Sequence, residues 1–379
     1  MTKKTLIILS ILLTLCINFT PKIVKAQESI KLGWVGPLTG PLSNLGSSAK
    51  DGVALALKNI NDSGGINGQR VKIVTMDTQF KVVQTIEVMQ RLIYAQKVDA
   101  IIGSLSSAGS LASMEILKKS KIPLLSCGII ALEPQEKENP FVIQISGNES
   151  DLTNAIADFA IKSLNLKRFA VLSPDNYIGR FRRTIFRKQL LKFGTGEIVT
   201  DETYPINSSD FVPYLFKIRK THPDAIMLMG FSHDSALIAK QAKEIGIKSQ
   251  IIGTGLEQSD KVFSMIGGNS VDNLIAPTFY CPKAYSYRKI VEFAETWKKE
   301  RGEEPNFTAA NAYDAVVLLV EAIKNVGTDG KEIAKALKTP REYKGVSGII
   351  KFIKGGGIKN SIVIGMWIKG KFIPKKTYF

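Results

Sequence analysis

A chain of 379 residues, 44% hydrophobic and 22% charged, has enough apolar material for a large core and is longer than one ordinary domain. Its net charge of +17 raises nucleic-acid binding or adhesion to an anionic surface. The lysines are spread along the chain without arginine–aromatic interleaving, which is the pattern of a solvated surface, so no nucleic-acid partner is expected.

The first residues read as an export signal. Lys3 and Lys4 give a basic start, and Leu6 to Ile17 is an apolar run too short to span a bilayer comfortably. Val24-Lys25-Ala26 then offers an A-x-A-like cleavage site, so residues 1–26 are expected to be removed and Gln27 to become the amino terminus. Cys16 opens a lipoprotein reading, but Leu15 stands where a small residue is wanted. The expected location is periplasmic or otherwise extracytoplasmic. An exported chain has no ready supply of nucleotide cofactors, which disfavours kinases and dehydrogenases, and no cofactor is expected. Beyond residue 26 the apolar stretches are broken every few residues by Lys, Asp or Gly. Cys127 and Cys281 remain with His222 and His233, none at metal-ligand spacing, so no metal site is expected. The compartment permits a disulfide, but the two cysteines are read as unpaired buried thiols.

The elements alternate strand and helix from Ile30 onward. Ile30–Val35 predicts a strand, followed by a turn-rich loop from Gly36, a helical pattern at Ser47–Asn61, a turn, and a second strand at Val71–Met76. This is one βαβ unit, whose loop sits beyond the carboxyl end of a strand, where open α/β sheets bind ligands. Helical patterns at Val82–Ala95 and Ala108–Ser120 alternate with strands at Ala100–Gly103 and Pro123–Ser126. A second series has strands at Phe169–Ser173, Ile198–Tyr204, Ala225–Gly230 and Ile251–Gly253. Helices are expected at Leu152–Leu164, Arg180–Phe193, Phe211–Lys220 and Ser235–Ile245. The strands are near-continuous apolar runs, as expected where helices cover both faces of a sheet. Tyr287–Lys299, Ala309–Asn325 and Lys331–Leu337 are helical patterns. Gly348–Phe352 and Ile362–Ile368 read as strands joined through Gly355-Gly356-Gly357.

Two loops carry the ligand chemistry. In Ile101-Ile102-Gly103-Ser104-Leu105-Ser106-Ser107 a buried strand ends and a helix begins, so hydroxyls and unpaired N–H groups converge where an anion is favoured. Ser106 or Ser107 also serves as an ordinary helix cap there. Ser173-Pro174-Asp175-Asn176-Tyr177-Ile178-Gly179 repeats the strand-to-helix plan in the second series.

Gly36 to Asp77, with these two loops, resembles the periplasmic Leu/Ile/Val-binding proteins that feed ABC importers. The resemblance implies a type I periplasmic binding fold: two Rossmann-like α/β lobes with parallel central sheets, joined by a three-crossing hinge. The crossings would lie near Val142–Ser146, Ile275–Cys281 and Val346–Phe352. Lobe 1 would be residues 27–145 plus 281–347, and lobe 2 residues 146–280 plus 348–379. By the resemblance Ser107 holds a ligand carboxylate, with Ser106 beside it, and Ile129 offers its carbonyl. Tyr177 closes over the ligand, and Phe231 supplies an aromatic wall. Ile130 stands where the family has a Thr hydroxyl. Gly255 stands where it has the acid that pairs with the ligand ammonium, and Glu257 lies two residues later. Either Glu257 reaches in and a neutral amino acid binds, or the ammonium partner is lost. In the second case a carboxylate or amide without an α-ammonium is preferred.

The implied function is an extracytoplasmic solute-binding protein of an ABC importer, a monomer that delivers a small molecule to a membrane permease. A ligand-sensing subunit of a receptor or regulator is the alternative. An enzyme is not expected, because no G-x-S-x-G, G-x-G-x-x-G after the first strand or P-loop occurs.

Overall fold

The apolar run ahead of Gly36 forms β1 (Lys31–Gly36), the middle of a parallel sheet. The computed structural model describes residues 29–40, 42–128, 139–254, 268–285, 287–354 and 357–378. β1 pairs with β2 (Lys72–Asp77) on one side and β3 (Ala100–Gly103) on the other. β4 (Leu124–Ser126) and β5 (Val142–Gln144) extend the sheet in the order β2-β1-β3-β4-β5, parallel throughout. Trp34, Val35, Ile101, Ile102 and Leu125 are buried because helices cover both faces, which explains the unbroken apolar runs. The helices are Ser43–Asp62, Val82–Gln90, Ser107–Ala112 and Met114–Ser120 on the way out, with Phe307–Val326 returning to pack on the first of them.

The second sheet begins with β6 (Arg168–Pro174), β7 (Glu197–Tyr204), β8 (Ala225–Leu228), β9 (Gln250–Gly253) and β10 (Ile275–Thr278), all parallel. Between them run the helices Tyr177–Phe193, Val212–Lys220 and Ser232–Glu244. Near the carboxyl end β11 (Arg341–Lys344), β12 (Ile349–Phe352) and β13 (Ile358–Asn360) form a small antiparallel sheet. β14 (Ile362–Ile368) and β15 (Lys371–Tyr378) then join the second sheet, giving the order β15-β14-β10-β9-β8-β6-β7.

Two expectations change here. The second sheet is mixed, because β14 is antiparallel to β10 and to β15. β10 runs toward the hinge, whereas β14 enters from the hinge at Ser361 and must run away from it. The stretch 348–360 was expected in the second lobe, yet Ile350, Phe352 and Ile358 pack in the same buried cluster as Trp34 and Ile101. The chain therefore stays with the first sheet until Asn360, and β12 pairs with β11 and β13 rather than with β14.

Among the described residues the chain passes between the sheets at 145–148, 279–285 and 361. Side chains tie them together. Asn360 Nδ2 donates to the Ile145 carbonyl at 3.4 Å, and the Tyr285 hydroxyl meets Ser361 Oγ at 2.7 Å. The Tyr287 hydroxyl donates to the Gly345 carbonyl at 2.7 Å. Gly345 is required by close approach, since a Cβ there would lie 2.2 Å from Asp314 Oδ2. Cys127 and Cys281 are both buried and free, in separate apolar clusters, and burial pushes the Cys127 thiol up to about 12.

Candidate functional site

The carboxyl ends of the parallel strands in both sheets turn toward one another, and their loops carry the polar groups. In the first sheet the Asp77 carboxylate, at the end of β2, joins two of these loops. It accepts the Leu38 N–H at 2.8 Å, the Thr39 hydroxyl at 2.6 Å and the Gln79 N–H at 2.8 Å. Partial burial works to raise its pKa, but the donors of Thr39, Gln79 and Leu38 prevail and hold it below the usual carboxylate range. Gly40 belongs to the same arrangement: its φ of +85° and its approach to the Gln79 carbonyl disfavour a side chain.

β3 ends in the serine loop. Ser104 takes a left-handed φ of 52°, and its buried hydroxyl lies 2.7 Å from Ser110 Oγ. Ser106 is the helix cap, its hydroxyl oxygen accepting the Gly109 N–H at 3.1 Å. Ser107 is therefore the first helical residue, half-buried. The sequence left the cap open between the two serines, and the structure assigns it to Ser106. At the end of β4 the Gly128 carbonyl accepts from Ser126 Oγ at 3.0 Å and from Ser146 Oγ at 2.6 Å.

The second sheet supplies the opposing wall. Asn176 caps the helix Tyr177–Phe193 by accepting the Gly179 N–H at 2.8 Å. This presents Tyr177 at the helix start, half-buried and stacked on Phe181 with ring centroids 6.2 Å apart. Phe231 follows β8 and packs against the cluster of Ile178 and Phe181. It faces Phe80 of the first sheet edge to face, centroids 6.0 Å apart. The helix Ser107–Ala112 approaches Tyr177–Phe193 across the same gap. Ile129, Ile130, Gly255 and Glu257 lie outside the described residues.

Three features escaped the sequence reading. Arg182, 4% exposed, pairs with Glu149, 2% exposed, at 2.5 Å. Its guanidinium also donates to the Met229 and Gly230 carbonyls, fixing the chain just ahead of Phe231. The Tyr204 hydroxyl donates to Asp234 at 2.8 Å, and burial, opposed by that bond, raises the Asp234 pKa. Nothing in the sequence around Phe80 marks it as a contact between the sheets. Charged residues on an amphipathic helix give no sign of which will be buried. Glu149 at the start of a helix after a crossing was the available cue.

Among the described residues no group of His, Cys, Asp and Glu could hold a metal, and no helix is long and apolar enough to cross a membrane. The arrangement suits a small molecule gripped from two sides by hydroxyls, backbone N–H groups and aromatic rings.

Residues 29–371 match the family model described as periplasmic binding protein. Leu/Ile/Val-binding protein homolog 7 of Brucella abortus (strain 2308) is 25% identical, the match covering 92% of this chain and 91% of that protein. The crystal structure of the leucine-binding protein LivK from Thermotoga maritima superposes with a TM-score of 0.84 at 28% identity, covering 92% of this chain and 98% of that one. A solute-binding protein of an ABC transporter from Rhodopseudomonas palustris BisB5, in complex with 3,4-dihydroxybenzoic acid, gives 0.83 at 24% identity, covering 93% and 98%.

Proposed function

The chain belongs to the periplasmic binding protein family, and we propose that it captures a small carboxylate-bearing solute outside the cytoplasm for an ABC importer. The relatives support this reading: one is a leucine-binding protein and another, an ABC-transporter component, holds a dihydroxybenzoic acid. The observation that carries it is the facing of two strand-to-helix loops, Ser104–Ser107 from one sheet and Asn176–Tyr177 from the other, across one gap.

Each lobe offers half of the site. The first contributes Ser106 and Ser107, with N–H groups at a helix start that favour a carboxylate. The carbonyl of Ile129 is assigned to the same half. The second contributes Tyr177, which covers the ligand, with Phe231 beside it. A ligand that touches both halves binds the closed form better than the open one and shifts the population toward it. The moving bodies are residues 27–145 with 281–360, and 146–280 with 361–379. Residues 1–26 are the export signal, the partner is a membrane permease, and the protein acts as a monomer.

Native mass spectrometry of gently purified protein, followed by small-angle scattering with each candidate ligand, tests this. A bound small molecule and a falling radius of gyration are expected. Tight binding without compaction would overturn the closing mechanism.

A further inference from the structure

We propose that Phe80 and Phe231 form an aromatic latch between the lobes that holds the cleft shut and lengthens ligand residence. This rests on the two-lobe capture reading above. The rings meet at 6.0 Å and 83°, the edge-to-face arrangement that aromatic pairs favour. Phe80 follows β2 of one sheet and Phe231 follows β8 of the other, so the contact exists only while the lobes are together.

The backbone under Phe80 is unusual. Gln79 and Phe80 both adopt left-handed φ, 51° and 58°, which is uncommon for any side chain and an outlier for a bulky one. Such conformations persist only when the surroundings over-determine them, and they gather at functional sites. The surroundings here do so. Asp77 accepts the Gln79 N–H, Thr78 Oγ1 accepts the Phe80 N–H at 3.4 Å, and the Thr78 carbonyl accepts the Lys81 N–H at 2.9 Å. Glycine would fit this turn without strain, yet a phenylalanine occupies it. Its ring is only half-buried even against Phe231, so packing within its own lobe does not account for it.

Phe231 is braced from behind. Arg182 holds the carbonyls of Met229 and Gly230, and the ring packs against Ile178 and Phe181. One partner thus sits on a left-handed turn, and the other follows a stretch of chain held by Arg182. A contact made only after closure slows ligand release and leaves entry unchanged.

The first test needs no ligand. In a Phe80→Cys/Phe231→Cys double variant, a short bismaleimide should link the two positions within one molecule, because it traps each closing excursion. The buried Cys127 and Cys281 stay unreactive, and a Phe80→Cys/Leu191→Cys control, with Leu191 exposed on the helix that begins at Tyr177, should remain unlinked. Failure of the 80–231 link with and without L-leucine overturns the latch. The second test is Phe80→Gly. It should melt no lower than wild type, since glycine suits the left-handed turn, while L-leucine dissociates about two- to tenfold faster. An unchanged dissociation rate also overturns the latch. If wild type binds no L-leucine, the amino-acid form of the capture reading fails, and the dissociation rate of 3,4-dihydroxybenzoate from wild type and Phe80→Gly decides the latch.

Discussion

The Asp314 carboxylate accepts both the backbone N–H of Ser347, at 2.7 Å, and its hydroxyl, at 2.6 Å. It also receives the Val346 N–H at 3.0 Å and the Tyr343 hydroxyl at 2.9 Å. One side chain from the helix Phe307–Val326 thereby fixes the segment between β11 and β12, next to Gly345, which Tyr287 also grips. The hinge residue Tyr287 thus bonds to a segment of the first lobe that a fully buried acceptor holds in place. Asp314→Ala leaves those four donors unpaired in the interior. The expected loss of stability is roughly 2–4 kcal/mol, read as a lower urea midpoint with an unchanged slope.

A second buried charge sits in the other lobe. Removing Arg182 alone strands Glu149, so Arg182→Met should cost about 3–5 kcal/mol. Replacing both, as Arg182→Met with Glu149→Leu, should recover most of that stability, because well-packed apolar groups often substitute for a buried pair. The double variant would still release the Met229 and Gly230 carbonyls, so ligand binding should not recover in step with stability. Chemical denaturation beside calorimetry separates the two effects.

Asp77 gives the cleft a pH dependence. Its folded pKa is depressed, so the stability it contributes is present above the unfolded carboxylate pKa, about 3.9, and is lost as pH falls through the folded value. Asp77→Ala should therefore be less stable than wild type at neutral pH, by about 1 kcal/mol after allowance for its partial exposure, with the gap narrowing below about pH 4. Thermal melts across that range check it. A constant gap would mean that the Asp77 bonds do not depend on its charge.

The two neighbouring serines should separate cleanly. Ser106→Ala removes the cap on Gly109 and should cost about 0.5–2 kcal/mol of stability. Ser107→Ala keeps the cap and should melt near wild type while losing about tenfold to a hundredfold in affinity, as for one hydrogen bond to a charged group. Calorimetry showing unchanged affinity would remove Ser107 from the site.

The central strands were legible because burial on both faces writes unbroken apolar runs such as Ala100–Gly103 and Ala225–Leu228. β11 and β15 were not. Arg-Glu-Tyr-Lys and Lys-Phe-Ile-Pro-Lys-Lys-Thr-Tyr are edge strands whose charges and proline mask the pattern. The turns leading into the helices at Ser107 and Tyr177 could be read because helix starts have a local grammar of caps and turns. Phe80 could not, since its part depends on a left-handed backbone and a partner in another sheet. Arg182 and Glu149 were hidden for a similar reason: burial of a charge is decided by what folds over it.

Ligand class is the remaining prediction, and it turns on three positions. By the resemblance to the Leu/Ile/Val-binding proteins, Ile130 is proposed to stand where amino-acid binders have a hydroxyl and Gly255 where they have an acid, with Ser107 and Tyr177 matching. On that reading both losses fall on the amino-acid-specific half of the clamp. An ammonium desolvated without a partner costs several kcal/mol, so without Glu257 leucine, isoleucine and valine should bind weakly and their deaminated acids better. With Glu257 as the acceptor the order reverses, and Glu257→Gln should then abolish the preference for the amino acid. A thermal-shift panel pairs each amino acid with its deaminated acid and its amide, and adds 3,4-dihydroxybenzoate, on wild type and Glu257→Gln. Stronger stabilisation by the acids, indifferent to Glu257→Gln, assigns a carboxylate without ammonium. Stronger stabilisation by the amino acids, lost in Glu257→Gln, assigns a neutral amino acid. Tight leucine binding untouched by the substitution would defeat both, because the ammonium would then have found an acceptor elsewhere in the cleft.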